Sequence, residues 1–254
     1  MKKNNTTDFA YHLTKFFTEY LTSQRNLSAN TISTYRYTFK LLLIYFNEEK
    51  HIKPNNLSIS TINRKNIEDF IVWLQKTRAC SASTCNQRLA ALKSFFQYLQ
   101  YELPDASLQC QENISIHPLK QAESTIKYLT IEGVKELLAQ PDTSDKYGRR
   151  DLALLSIMYD TGARVSEISN IQYKHIRFSS PATVRLTGKG NKTRIVPLLT
   201  NTEKIIKQYV KDFKIAESGN ETYLFQNRNG GKISRYGIAY ILDKYADMAR
   251  KSHP

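Results

Sequence analysis

Two short stretches decide the reading: Thr161–Ile168, TGARVSEI, and Ala182–Leu198, ATVRLTGKGNKTRIVPL. In the first, Gly162 stands just before Arg164, and Glu167 follows three residues later. If the chain is helical from Val165 onward, Arg164 and Glu167 share a face, and the carboxylate holds the guanidinium in one orientation. The second stretch has the pattern of a β-hairpin. Its two arms are β-branched and roughly alternating, and Gly188 and Gly190 supply the turn with Lys189 at its tip. Between Glu167 and Glu203 there is no acidic residue, but there are six basic ones: Lys174, Arg177, Arg185, Lys189, Lys192 and Arg194. A fixed arginine beside a mobile lysine without a counter-charge suits a phosphate, not a metal ion.

Outward from this centre, the apolar spacing predicts mostly helices. Upstream, Phe9, Leu13, Phe16, Phe17, Tyr20 and Leu21 mark one buried face over residues 8–23. Ser28 or Asn30 caps the next helix, which turns Ile32, Tyr35, Phe39, Leu42, Leu43 and Phe46 inward and sets Arg36 and Lys40 on another face. A third helix is expected from near Arg64 to Lys76, and a fourth from near Ser83 to Glu102, with Asn86, Arg88 and Lys93 exposed on it. Four amphipathic helices with short connections form a bundle. Residues 103–125 lack periodicity and hold two prolines, so a linker is expected over 106–125. Beyond it the pattern predicts a short helix capped by Thr130, an apolar helix ending at Gly162, and the hairpin. A helix over about 202–213, a brief strand at YLFQ, a turn at Asn229–Gly231 and a last helix capped by Ser234 complete the reading. The fold class is mainly α with a small β-hairpin or sheet: a helical domain over 1–105 and an α+β domain over 126–254.

Composition narrows the function classes. The chain has 254 residues, 41% hydrophobic and 24% charged, which are globular values. Its 37 Lys and Arg against 23 Asp and Glu give +14, with both halves basic, and that excess points to a polyanion. Cys80, Cys85 and Cys110 form no CxxC pair, which argues against zinc or a disulfide framework and for a reducing cytoplasm. No apolar run approaches the ~20 residues of a membrane span, and MKKNNTTDF lacks the apolar core of a secretory signal.

The two stretches together resemble the tyrosine recombinase (phage integrase) family, and the resemblance covers essentially the whole chain. The bundle is similar to the family's N-terminal core-binding (SAM-like) domain, and residues 126–254 to a catalytic domain without its C-terminal part. TGARVSEI resembles the first arginine box and GKGNKTRIVPL the lysine-bearing hairpin. The resemblance implies cutting one DNA strand with a tyrosine, a 3′-phosphotyrosine link, and rejoining without metal, nucleotide or other cofactor. It carries the catalytic roles to Arg164 and Lys189, the latter as general acid, and a supporting role to Glu167. In the family a histidine–two residues–arginine box and the tyrosine nucleophile follow the helix that ends here near Ala249. Ser252-His253-Pro254 resembles the residues just ahead of that box, so His253 is not expected to be catalytic. Tyr236, Tyr240 and Tyr245, at helical spacing, are expected to pack and not to attack. The chain as given is therefore expected to lack its nucleophile and to be inactive.

Lys192 and Arg194 are expected to contact phosphates. Arg36, Lys40, Arg88 and Lys93 are candidate DNA contacts or an ordinary solvated face. The expected partners are double-stranded DNA, gripped between two domains, and other recombinase protomers, with no membrane. Against the recombinase stand a non-catalytic duplex-binding remnant that regulates recombination and an RNA-binding helical protein.

Overall fold

The first helix begins where Thr7 accepts a hydrogen bond from the Ala10 N–H at 3.2 Å, which satisfies one of the donors a helix start leaves open. A computed structural model describes residues 7–121 and 128–252, and the chain divides into two units at Thr125. Helix α1 (Asp8–Lys15) runs without a break into a π-helix over Phe16–Gln24, where the sequence reading expects α-helix to residue 23. The wider turn lets adjacent Phe16 and Phe17 both enter the core along with Leu21. Along the same segment Thr14, Thr18 and Thr22 each donate to the carbonyl four residues back, contacts that loosen regular helix geometry.

Helices α2 (Ala29–Glu49), α3 (Arg64–Thr77) and α4 (Ala82–Glu102) complete the expected bundle. Each starts on a side-chain cap, from Ser28, Asn63 and Ser81 respectively. Phe9, Phe16, Phe39, Phe46, Phe70, Phe95 and Leu99 fill the core, with Phe16 and Phe95 edge to face at 5.2 Å. Part of the expected linker belongs instead to this unit. Helix α5 (Ser107–Ile114) buries Cys110, and Asn113 and Gln109 donate to the Ile62 carbonyl at 2.9 and 3.1 Å. Leu119 and Asn86 then exchange a reciprocal pair of hydrogen bonds at 2.7 and 2.9 Å. Polar side chains reaching backbone carbonyls hold this segment, and those leave no hydrophobic period to read. Residues 122–125 of that expectation lie outside the described residues.

In the second unit, α6 (Ile131–Ala139) is capped by Thr130 and α7 (Lys146–Thr161) by Asp145. Gly162, at φ +56°, ends α7 in the left-handed conformation that favours glycine. A short helix α8 (Val165–Ser169) follows, then an antiparallel sheet in the order β1 (Ile176–Arg177), β2 (Thr183–Thr187), β3 (Thr193–Pro197). Val184 and Leu186 face the core, while Arg185 and Ile195, paired across β2 and β3, face out. YLFQ is not a strand. Tyr223 and Gln226 make only isolated bridges, to Gln172 and Lys232, while Leu224 and Phe225 are buried between them. Helices α9 (Thr200–Asp212) and α10 (Arg235–Ser252) close the unit. Among the described residues no helix is long and apolar enough to cross a membrane.

Candidate active site

The α7–α8 corner is made by local chemistry. Gly162 reverses the chain, and Ala163 N–H donates to the Thr161 hydroxyl at 3.2 Å. Arg164 then stands at the N-cap of α8 with Glu167 at the third helical position. Glu167 Oε2 accepts the Arg164 N–H at 2.9 Å, as acidic residues do at helix starts. Its Oε1 also accepts Arg164 Nη1 at 3.2 Å, so one carboxylate fixes both ends of the arginine.

Glu167 has a second and stronger partner. Arg194 of β3 donates Nη1 to Oε1 at 3.0 Å and Nη2 to Oε2 at 2.8 Å, a bidentate pair. The carboxylate side chain is 1% exposed and accepts four hydrogen bonds. The Arg194 bond, followed by the bonds from Arg164, lowers its pKa to about 2 against the opposing effect of burial. Arg194, expected to contact phosphate, is thus held by Glu167 through both terminal nitrogens. The sequence reading missed this pairing, although the register shows it. Arg194 is the partner of buried Leu186, so it points to the same sheet face.

Arg164 is 69% exposed, and its Nε and Nη2 have no partner among the described residues. That edge of the guanidinium is the two-donor fork that fits a phosphate. The hairpin comes against it at Gly188. A Cβ built there would lie 2.4 Å from Glu167 Oε1 and 3.7 Å from Arg164 Nη1, so only glycine permits the approach. The next residue is exposed Lys189, on a tip closed by Gly188 N–H to Lys192 O at 2.8 Å. Left-handed Gly190 and Asn191 complete the turn. The predicted arginine and lysine elements therefore meet at Gly188, and Lys192 is exposed beside them.

Comparisons with known proteins bear on the family and the fold. The model of the phage integrase family matches residues 127–254, and that of the phage integrase N-terminal SAM-like domain matches residues 15–102. The chain belongs to the phage integrase family. It is 32% identical over 240 residues to tyrosine recombinase XerC of Herpetosiphon aurantiacus, across 91% of this chain and 73% of that one. It is 29% identical to tyrosine recombinase XerD of Listeria monocytogenes, across 89% and 74%. In fold it is similar to a lambda integrase dimer bound to a COC′ core site, with a TM-score of 0.68 and 13% identity over 97% of this chain and 65% of that one. It is also similar to XerH recombinase bound to its difH substrate, with a TM-score of 0.66 and 20% identity over 89% and 65%.

The remaining expected residues of this family member divide. Arg36 and Lys40 are exposed on α2, and Arg36 lies over the Phe17 ring at 5.7 Å. Lys93 is half-buried on α4. Arg88 departs from the expected exposed face. It is half-buried, donates to Thr34 O at 3.2 Å and Thr38 Oγ1 at 3.3 Å, and stacks on Tyr37, which makes it a strut between α4 and α2. Tyr245 packs as expected: its hydroxyl donates to Asp151 Oδ2 at 3.1 Å, and burial, then the Asp151 charge, push its pKa up. Tyr236 and Tyr240 do not pack; they are 86% and 71% exposed. Helix α10 buries Ile238, Ile241 and Tyr245, and three- and four-residue spacing alone did not reveal which tyrosines share that side. His253 lies outside the described residues.

Proposed function

We propose that this chain is the DNA-binding and phosphate-holding part of a site-specific recombinase that cuts and rejoins DNA through a 3′-phosphotyrosine. The observation that carries the proposal is the Arg164 fork, fixed by buried Glu167 with one edge open, beside the hairpin that presents Lys189. As a tyrosine oxygen bonds to phosphorus and the bond to the 5′-oxygen breaks, negative charge must be held on the non-bridging oxygens. The open edge of Arg164 donates to them, and Lys189 gives a proton to the departing oxygen. Glu167 is a positioning residue that holds the guanidinium, and Arg194 in turn holds Glu167. Lys192, Arg36, Lys40 and Lys93 supply further phosphate contacts, consistent with the charge of +14. The partners are duplex DNA and further protomers, because strand exchange needs more than one active site.

No tyrosine among these 254 residues is assigned as nucleophile, and the Tyr245 hydroxyl is already committed to Asp151. These residues bind duplex without cleaving it, a reading shared by a non-catalytic regulator of recombination. The test uses a nicked suicide duplex. Salt-sensitive retention without a covalent band is expected, with R164A weakening it about tenfold. A covalent band would overturn the non-cleaving reading. Unchanged binding by R164A would remove Arg164 from the phosphate.

A further inference from the structure

A second basic cluster lies on the other face of the sheet. Strand alternation turns Arg194 to the core side with Leu186, whereas Arg185 and its partner Ile195 point away from the core. On that outer face Arg177, Thr183, Arg185 and Ile195 border a cavity of about 210 Å³, completed by Lys174 and His175 from the turn before β1. Among the described residues no carboxylate lines it. Lys174 is held by both oxygens of Glu221, at 2.5 and 2.6 Å, but Arg177 and Arg185 are exposed and their guanidinium groups have no hydrogen bond or ion pair among the described residues. Two neighbouring guanidinium groups without a counter-charge leave a position that an anion would stabilise.

His175 makes the cavity more than a patch of charge. Its Nδ1 accepts the Gln172 N–H at 3.2 Å, which assigns the proton of the neutral ring to Nε2 and makes the free edge a donor. Burial lowers its pKa first, followed by Arg185 and Lys174, with Glu221 opposing. At neutral pH the ring therefore offers an N–H without adding a third charge.

We propose that this outer face binds a phosphate group, held by the forks of Arg177 and Arg185 and by His175 Nε2–H. The site is separate from the Arg164 cluster and independent of the role proposed there. The phosphate is a DNA phosphodiester or free inorganic phosphate, and two arms of one experiment tell them apart. The His175 ring resonances are titrated by NMR in phosphate-free buffer, then with inorganic phosphate, then with a short duplex. Phosphate is expected to move the His175 midpoint upward in a saturable way, since an anion offsets the two cations that lower it. R177Q and R185Q are each expected to weaken the response to inorganic phosphate about tenfold. A duplex that saturates the same response identifies the DNA backbone as the source; a response to phosphate alone identifies the free ion. The proposal is overturned by a midpoint that neither ligand moves, or by a response that survives R177Q/R185Q while the Val184 and Leu186 amides report an intact sheet. A shift that follows protein concentration without added anion also overturns it, because a carboxylate of a second copy would then fill the cavity.

Discussion

Glu167→Gln keeps the shape of the side chain and removes the charge on which Arg164 and Arg194 converge. The fall of the Glu167 pKa from 4.5 to about 2 sets the size of the effect. At about 1.4 kcal/mol per tenfold, ionised Glu167 contributes about 3 kcal/mol to the folded second unit. A carboxylate whose pKa is depressed by folding stabilises fully above its unfolded value and loses that stability as pH falls toward its folded one. The gap between wild type and E167Q is therefore about 3 kcal/mol at pH 7 and about half that at pH 3. Urea unfolding across this range measures it. Trp73, the only tryptophan, lies in the first unit, so the transition must be followed through methyl resonances of Ile168 or Val184. A gap that stays constant from pH 7 to pH 3, or one below 1 kcal/mol at pH 7, would refute the reasoning that the charge, and not the packing, of Glu167 fixes the arginines.

Gly188→Ala places a methyl group against the Glu167 carboxylate and is expected to cost about 1–3 kcal/mol; equal melting temperatures for variant and wild type would contradict this. Tyr245→Phe removes the bond to Asp151 and should cost about 1 kcal/mol while leaving duplex affinity unchanged, so a loss of binding would tie Tyr245 to DNA. Arg36→Glu should lower duplex affinity and reduce the magnitude of the salt dependence by about one or two charges, measured by fluorescence anisotropy at several salt concentrations. An unaltered slope would return Arg36 to the solvated face.

The helices of both units were readable because their apolar residues recur with helical spacing and because Ser28, Thr130 and Ser234 mark starts. The hairpin was readable from its β-branched arms and glycines. The π-helix was not, since Phe16, Phe17 and Leu21 fit either turn width as a string of letters. Segment 107–119 was missed because Asn113, Gln109 and Asn86 fasten it through backbone bonds. In the candidate site, the Arg164–Glu167 pairing was legible in a short motif, and the hairpin motif placed Lys189 at its tip. Arg194 required knowing that it pairs with Leu186, a fact of register and not of composition. Arg88 looked solvent-facing because the carbonyl it reaches, that of Thr34, belongs to a helix more than fifty residues earlier.

The hairpin is fixed up to the edge of its turn. Arg194 clamps one arm to Glu167 and Gly188 seats the other, while residues 189–192 project past both fixings. The tip can thus be lengthened, shortened or exchanged without disturbing the arginine beneath it. Loop and footing are separable: residues 189–192 can vary in length while both arginines below keep their shared carboxylate.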